Sequence, residues 1–391
     1  MAALPISVRS INSADQRERR RVLAWLSASL LSQLAAAAGL ATVATANAAE
    51  SGDLPDLIGR LTESVPSLLR DLHVPGAALA LLQHGQVVWH GQFGLREAGG
   101  DQAIGPDTVF EAASMSKPLF AYLVLQQVQA GRLELDRPVL QYLPQERFKP
   151  RQSWQGLITA RMLLTHRSGL PNWRSAADEK THSLRIGSKP GQAFNYSGEG
   201  YFYLQRVLEH ITGQALQDLA ERMLFSPLGM RHSAFQWTPD LDELRARGHN
   251  DRVQVLPRQD YRAANAAYTL YTTAADYALF LAEILNPDRS GAQSLQAPAL
   301  RAMLAHATPA TDREPLDRPG LAKGLAVFWG LGWAINTSAQ GDIAYHTGTN
   351  STGFRNYCQF SPSRGSGFVL MSNGLNGKQL WMRLMALLGD R

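Results

Sequence analysis

Ser114 and Lys117 are the residue pair whose types and spacing point most directly to covalent chemistry. They lie three positions apart, so on a helix the lysine amine comes back over the serine hydroxyl. A serine hydroxyl becomes a strong nucleophile when a base takes its proton. A lysine can be that base when burial or nearby positive charge lowers the pKa of its amine. Because this spacing also arises by chance, a capping serine beside a solvated lysine is the alternative.

The residues that follow Ser114 predict the helix that would position this pair. Apolar side chains recur at helical spacing from Leu119 to Val128, and Gly131 marks the end. Free backbone N–H groups and the positive dipole end at the helix start would favour negative charge on the serine oxygen. The pattern predicts an amphipathic helix at the centre of the fold.

Tyr196 is the second candidate catalytic residue, in a loop between the turn at Pro190-Gly191 and a helix predicted from about Gly200. A buried tyrosine beside a lysine can have the pKa of its phenol lowered, so that it accepts and returns a proton. The alternative is a core tyrosine whose hydroxyl is satisfied by a hydrogen bond.

His346, Thr347, Gly348 and Thr349 end one predicted strand just before another begins. Small residues on a strand that faces a cleft let a substrate lie against the backbone. The N–H of Thr349 would then join the N–H of Ser114 at one carbonyl oxygen as an oxyanion hole. His346 would donate to a substrate carboxylate or shuttle a proton, and an ordinary β-turn is the alternative.

The order of predicted elements is strands, then helices, then strands. We expect an α+β fold whose antiparallel sheet comes from about residues 77–93 and 325–372, with a mainly helical region over about 111–300. Residues 286–324 are rich in proline, glycine, serine and charge, which predicts surface excursions that border the entrance of the site.

Composition excludes several classes of protein. The chain has 391 residues, 45% of them hydrophobic and 18% charged, which is enough for a large core and unlike a disordered tail. Of the formal charge of +5, residues 1–48 hold +3, so nothing suggests a nucleic-acid partner. Cys358 is the single cysteine, so no intramolecular disulfide and no cysteine-based metal site is expected.

The first 48 residues predict an export signal. Arg19-Arg20-Arg21 precedes a modestly apolar run, and Ala46-Asn47-Ala48 fits a cleavage site, a pattern that favours twin-arginine export over the general secretory route. The mature chain, residues 49–391, would be periplasmic or secreted. An uncleaved inner-membrane anchor is the alternative, and without it no stable membrane partner is expected.

Taken together, the three motifs resemble the serine β-lactamase and penicillin-binding protein superfamily. The resemblance is greatest to the class C β-lactamase branch, which also holds DD-peptidases and family VIII esterases. It covers about residues 55–388. The motifs and supporting stretches are Ser114-x-x-Lys117, Tyr196-Ser197-Gly198, His346-Thr347-Gly348, Leu163 to Pro171 and Pro190 to Ser197.

This resemblance implies a β-lactamase/transpeptidase-like fold and a serine hydrolase without metal or cofactor. It implies that Ser114 is acylated, that Lys117 and Tyr196 share its activation, and that Ser114 and Thr349 form the oxyanion hole beside the strand edge. Two departures stand out. Gly198 replaces the asparagine of Tyr-x-Asn, which removes an amide expected to hold the substrate, and His346 replaces the lysine of Lys-Thr-Gly.

The predicted function is hydrolysis of an amide or ester bond through a covalent acyl-enzyme, with a small-molecule or peptide substrate. A β-lactam, a D-amino-acyl peptide and a carboxylic ester all stay open, and both departures weaken the case for efficient β-lactamase activity. A non-turnover penicillin-binding sensor or scaffold of the same fold is the alternative. Signatures of other hydrolases, such as Gly-x-Ser-x-Gly and His-Glu-x-x-His, are missing from the sequence.

Overall fold

The computed structural model describes residues 54–389, apart from 145–147, 149–152, 182, 288–290, 292, 311–326 and 339–340. The chain divides into two compact units, Met1–Gly59 and Arg60–Arg391. Of the first unit only residues 54–59 are described, and these are helical. The predicted leader therefore lies outside the described residues. All further description concerns the second unit.

Strands from both ends of this unit form its main sheet. The strands are β1 Gly76–Gln83, β2 Gln86–Gly94, β3 Phe110–Glu111, β4 Tyr271–Thr272, β5 Thr308–Pro309, β6 Val327–Trp329, β7 Ala334–Ser338, β8 Gly341–Thr349, β9 Arg355–Ser361 and β10 Ser366–Ser372. Among the described residues, eight of them form one antiparallel sheet in the order β2-β1-β10-β9-β8-β7-β6-β5. The short strands β3 and β4 pair separately. The predicted fold class is confirmed.

Helices fill the middle of the chain and flank the sheet. They are α1 (residues 60–71), α2 Ser116–Gln129, α3 Ala160–Leu164, α4 Ala176–Lys180, α5 Gly198–Thr212, α6 Leu216–Ala220, α7 Ser226–Leu228, α8 Pro239–Asp242, α9 Ala274–Leu285, α10 Ala297–Met303 and α11 Gly377–Leu388. Short 3-10 turns cover Ala113–Met115, Val139–Gln141 and Ser153–Leu157, and a π-helical turn covers Glu221–Phe225. No helix in the described part of the chain is both long and apolar enough to cross a bilayer.

The centre of the sheet is covered on both faces. Every residue of β1 and β10 is buried, which is why these strands read as nearly continuous apolar runs. Tyr357 and Phe360 of β9 point to opposite faces, since side chains alternate along a strand. Tyr357 packs against Trp381 of α11, whereas Phe360 packs against Trp333, which in turn stacks on Phe280 of α9.

Helix α2 is central, but the prediction that it is amphipathic is wrong. All residues from Ser116 to Gln127 are buried, so the helix has no solvent face over most of its length. The apolar residues at helical spacing are present, but Phe120, Leu123 and Val124 are buried on the remaining faces as well. A wholly buried helix fixes its first residues firmly, and these adjoin Ser114.

Candidate active site

Ser114 lies in the 3-10 turn that directly precedes α2, instead of in the first turn of the α-helix itself. The preceding residue, Ala113, has a positive φ of 51°, a conformation that costs a non-glycine residue about 1–3 kcal/mol. The Ser116 hydroxyl offsets this by donating to Ala113 O at 2.7 Å, and it accepts from the Leu270 N–H at 3.0 Å. The turn is thus held in one orientation from both sides.

The amine of Lys117 lies beside the Ser114 hydroxyl. Its Nζ is 3.2 Å from Ser114 Oγ and donates to Ala267 O at 2.8 Å, and the side chain is completely buried. It also lies over the ring of Tyr196, 4.7 Å from the ring centre. Within the described part of the chain no carboxylate is near enough to form an ion pair with it. Burial therefore lowers the pKa of Lys117 to about 7, so a large share of the amine is neutral at physiological pH.

Tyr196 reaches the same point from the loop before α5. Ser197 caps this helix, because its side chain accepts from the Gly200 N–H. The pKa of the Tyr196 phenol is raised by burial, and a hydrogen bond with Ser114 opposes the shift only in part. The prediction of a lowered pKa is wrong, since desolvation outweighs any benefit from the neighbouring amine. Tyr196 is therefore a neutral phenol, suited to donate or relay a proton.

His166 positions the Tyr196 loop. It is fully buried, its Nδ1 accepts from the Ser197 N–H at 3.0 Å, and its ring lies 4.3 Å from the Tyr196 ring. Burial, followed by the nearby Lys117, lowers its pKa well below the usual range, so the ring is neutral. These contacts make His166 a brace for the loop that carries Tyr196. Further hydrogen bonds join the same two segments: Asn195 N to His166 O, Asn195 Nδ2 to Leu170 O and Ser197 Oγ to Pro171 O.

The side chain of His346 points into the protein, not toward substrate. It is 3% exposed, its Nδ1 bonds to Thr347 O at 2.8 Å, and it packs against Trp329. Burial, with Lys117 as a second cause, lowers the pKa of His346 to about 3. A neutral, enclosed imidazole offers no positive charge to a substrate carboxylate.

Gly348 is required for a different reason from the one predicted. A Cβ at this position would overlap the carbonyl oxygen of Ala112, two residues before Ser114. Strand β8 therefore packs directly against the 3-10 turn Ala113–Met115, which we call the catalytic turn, and only glycine permits that approach. Gly348 is buried, and Ala112 O lies on the side to which a side chain at this position would point.

Ser114, Tyr196 and Thr349 line one cavity of about 720 Å³. The two residues proposed for the oxyanion hole, Ser114 and Thr349, thus face the same space. The three other predicted substrate-side positions, His346, Thr347 and Gly348, do not line it. The described residues of segment 286–324 do not line the cavity either. The prediction that this segment borders the entrance therefore does not hold for those residues.

Glu111 anchors one wall of this cavity from behind. Its buried carboxylate accepts from Asn350 Nδ2 at 2.8 Å and Thr352 Oγ1 at 2.6 Å, and from the Tyr261 hydroxyl at 3.3 Å. Burial raises the pKa of Glu111, and these hydrogen bonds together with the Arg245 guanidinium oppose the shift. Sequence reasoning missed this network, because the donors lie 150 or more residues away along the chain.

Asn172 and Trp173 also line the cavity, although they belong to none of the three motifs. The Asn172 side chain accepts from the Gly198 N–H at 3.0 Å. A Cβ at Gly198 would come within 2.6 Å of the Trp173 ring, so the indole occupies the room that a larger residue would need. A signal was available in the sequence: the Leu163-to-Pro171 stretch runs directly into these two residues.

Arg355 is the one basic side chain among the described residues that line the cavity. Its Nη1 donates to the carbonyl oxygens of Asn350 and Phe354 at 2.7 and 2.8 Å. No carboxylate within the described residues forms an ion pair with it, and burial lowers its pKa. Among those residues no group of three or more histidine, cysteine or acidic side chains could hold a metal ion.

The arrangement provides the parts needed for acyl transfer. A hydroxyl, an amine that is partly neutral at pH 7 and a neutral phenol lie close together, and Ser114 and Tyr196 line the cavity. Such a set can remove a proton from the hydroxyl and return it to a leaving group. Ser114 and Thr349, whose N–H groups are the predicted oxyanion hole, line this same cavity.

Comparison with known proteins identifies relatives of this chain. Residues 56–386 match the family model described as Beta-lactamase. Esterase EstB of Burkholderia gladioli is 30% identical over 207 residues, which are 47% of this chain and 53% of EstB. Protein flp of Staphylococcus aureus is 24% identical over 319 residues, which are 77% of this chain and 60% of flp. The chain thus spans little more than half the length of these relatives.

Solved structures with the same fold include penicillin-binding and β-lactamase proteins. The octameric penicillin-binding protein homologue from Pyrococcus abyssi superposes with a TM-score of 0.72 at 21% identity, over 85% of this chain and 78% of that one. The D-alanine carboxypeptidase AmpC from Burkholderia cenocepacia gives 0.68 at 21% identity, over 86% of this chain and 100% of the other. The resemblance drawn from the three motifs is confirmed, and the chain belongs to the beta-lactamase family.

Proposed function

We propose that this protein is a serine hydrolase that cleaves carboxylic esters through an acyl-enzyme on Ser114. The observation that supports it most is the Lys117 amine. It lies 3.2 Å from Ser114 Oγ and is fully buried, and no carboxylate among the described residues keeps it charged. Burial of a lysine amine without a carboxylate partner does not stabilise the fold. It does lower the amine's pKa to the range in which a general base works.

In the proposed mechanism the neutral Lys117 amine takes the proton of Ser114 as Oγ attacks the carbonyl carbon. The carbonyl oxygen becomes an oxyanion, which the N–H groups of Ser114 and Thr349 stabilise. Collapse breaks the bond to the leaving group, which receives the proton from the Lys117 ammonium directly or through the Tyr196 phenol. Water then attacks the acyl carbon while Lys117 takes its proton. The bond to Ser114 Oγ breaks, Lys117 returns the proton to that oxygen, and the acid leaves.

Three observations favour an ester over a β-lactam. Gly198 offers no side-chain amide to a substrate amide, and His346 is neutral and enclosed. The relative that is 30% identical is named an esterase. An alkoxide or phenoxide also leaves more readily than an amine, so an ester asks less of the proton donor.

Arg355 favours a second candidate, hydrolysis of an anionic D-amino-acyl peptide or β-lactam. Arg355 lines the cavity and has no carboxylate partner among the described residues. A substrate carboxylate would supply that partner. In this case Arg355 takes the role that His346 was expected to play.

A panel of three substrates separates these candidates: a short-chain nitrophenyl ester, nitrocefin and a peptide that ends in D-Ala-D-Ala. We expect turnover of the ester, and Ser114→Ala should abolish it. Faster turnover of nitrocefin or the peptide, lost in Arg355→Ala while ester hydrolysis persists, would establish the second candidate. Stoichiometric labelling by a fluorescent penicillin without turnover of any substrate would instead identify a sensor.

We further propose that the protein works in the periplasm or outside the cell after removal of residues 1–48. The basic and apolar pattern of these residues supports this proposal. The proposed partner is the small-molecule or peptide substrate itself, with no cofactor.

A further inference from the structure

Three aromatic side chains line the cavity together with Ser114 and Tyr196. Trp173 packs edge-on against Tyr268, with ring centres 5.3 Å apart at 89°, and Tyr268 packs the same way against Tyr261, at 5.3 Å and 86°. All three line the cavity that Ser114 lines. We call Trp173, Tyr268 and Tyr261 the aromatic wall.

Trp173 is the exposed end of this wall. It is 47% exposed and lines the cavity that Ser114 lines. Tyr268 and Tyr261 are partly buried, and the Tyr261 hydroxyl bonds to Glu111. The indole therefore presents apolar surface to any molecule that approaches Ser114.

The backbone that carries Trp173 is held in place on both sides. The Glu199 N–H donates to Asn172 O at 3.0 Å, and the Gly198 N–H donates to the Asn172 side chain at 3.0 Å. On the other side, Arg174 Nε bonds to the Glu199 carboxylate at 2.8 Å, and both side chains are about nine-tenths buried. A ring on such a support is positioned before a ligand arrives, so little freedom is lost on binding.

Gly198 makes room for this ring. A Cβ at position 198 would lie 2.6 Å from the indole and 2.9 Å from Asn172 O, so the two residues fit only as a pair. A side chain at 198 would project from the start of α5, two residues after Tyr196. In this chain the same place is taken by the six-membered ring of the Trp173 indole, whose atoms nearest Gly198 are carbons and cannot hydrogen-bond a substrate amide at that point.

We propose that Trp173, seated in the room left by Gly198, determines specificity by binding a flat aromatic acyl group of the substrate. The proposal rests on the proposed esterase function and names its substrate class as aryl-acyl esters. Edge-to-face and offset contacts between aromatic rings would favour such an acyl group over acetyl by about tenfold. The acyl carbonyl would then lie at Ser114 while its ring contacts the indole.

The test compares nitrophenyl phenylacetate with nitrophenyl acetate, as the ratio of their kcat/KM values. We expect Trp173→Ala to lower this ratio about tenfold and Trp173→Phe, which keeps a ring, to preserve most of it. Met382→Ala is the matched control. It removes an apolar side chain that is 48% exposed on α11 and absent from the cavity lining, so the ratio should not change. An unchanged ratio in Trp173→Ala, or an equal fall in Trp173→Phe, would overturn the proposal.

A binding measurement separates this inference from the proposed function. The Ser114→Ala protein should bind the phenylacetyl ester about tenfold more tightly than the acetyl ester, measured by calorimetry, and the added Trp173→Ala change should remove that preference. If wild-type protein hydrolyses neither ester but the preference is present, the esterase proposal fails and the aromatic subsite stands. If the preference is absent, the subsite fails whatever the turnover.

Discussion

The chemistry of the site depends on how one lysine is surrounded. Lys117 could be paired with Ser114 from the sequence alone, because helical spacing fixes which side chains share a face. The structure adds Ala267 O and the rings of Tyr196 and Tyr201 around its amine. The direction of the Tyr196 pKa shift could not be predicted, since it depends on how desolvation compares with neighbouring charge. That balance is set by residues that lie far apart in the sequence.

Acylation of Ser114 should depend on pH with a midpoint near 7. The neutral form of Lys117 is the base, and its fraction rises as pH rises through a pKa of about 7. The rate of fluorophosphonate labelling should therefore increase from pH 5.5 and level off above about pH 8. Lys117→Arg, which stays charged, should lower the rate above pH 8 by about 10²–10⁴-fold and remove the rise with pH. A flat wild-type profile, or near-normal rates in Lys117→Arg, would remove the amine from the proton path.

Removing this amine should also make the protein more stable. The pKa of Lys117 falls from 10.5 in the unfolded chain to about 7 in the folded one, so between these values the unfolded state binds more protons. The resulting penalty is complete below pH 7 and shrinks as pH rises toward 10.5. Lys117→Met should raise the free energy of unfolding by a few kcal/mol at pH 6, and by less at pH 9.

Urea denaturation of wild type and Lys117→Met at both pH values measures this difference. Circular dichroism before denaturation confirms that the variant is folded. A variant less stable than wild type at pH 6, or a difference that grows with pH, would show that the amine is not held in a desolvated state.

At the scale of elements, the site forms where strand β8, the catalytic turn and two loops pack together. Strand β8 could be predicted from its alternating pattern and its flanking turns. Its contact with the turn could not, because Gly348 reads in the sequence as a substrate-facing residue. The same limit applies to Trp173 and Gly198, which fit together only once segments 166–173 and 194–199 lie side by side.

Gly348→Ala should damage the site through the backbone. The added Cβ would overlap Ala112 O, so strand β8 or the turn before Ser114 must shift. We expect kcat/KM to fall at least about 100-fold, because small displacements of reacting groups cost that much, and the free energy of unfolding to fall by about 1–3 kcal/mol. Gly156→Ala is the control, since a Cβ there meets nothing within 4 Å. Normal activity in Gly348→Ala would mean that β8 does not constrain the turn.

At the scale of the whole molecule, two ends of the chain complete one sheet. Strand β1 lies between β2 and β10, with Leu79 opposite both Gly91 and Leu370. This arrangement could be predicted in outline from the order of strand and helix patterns, but the order of strands within the sheet could not. Pairing between β1 and β10 spans nearly 300 residues, and no local signal encodes it.

A chain that ends at Ser361 should therefore not fold. It lacks β10 and α11, so β1 and β9 each lose a paired neighbour and expose a buried edge. We expect aggregation, or no cooperative thermal transition by circular dichroism and size-exclusion chromatography. Residues 49–391, expressed in the same way, should give a soluble protein with one transition. A soluble shortened chain with a similar transition would show that the helical region folds without the complete sheet.

The most direct test of the proposed chemistry is to find the residue that becomes acylated. Wild-type protein is mixed with a nitrophenyl ester, quenched in acid within seconds, digested and mapped by mass spectrometry. We expect a single acyl adduct on the peptide that contains Ser114, at up to one group per chain, and none in Ser114→Ala. An adduct on another residue, or equal labelling of Ser114→Ala, would contradict the assignment of Ser114 as the nucleophile.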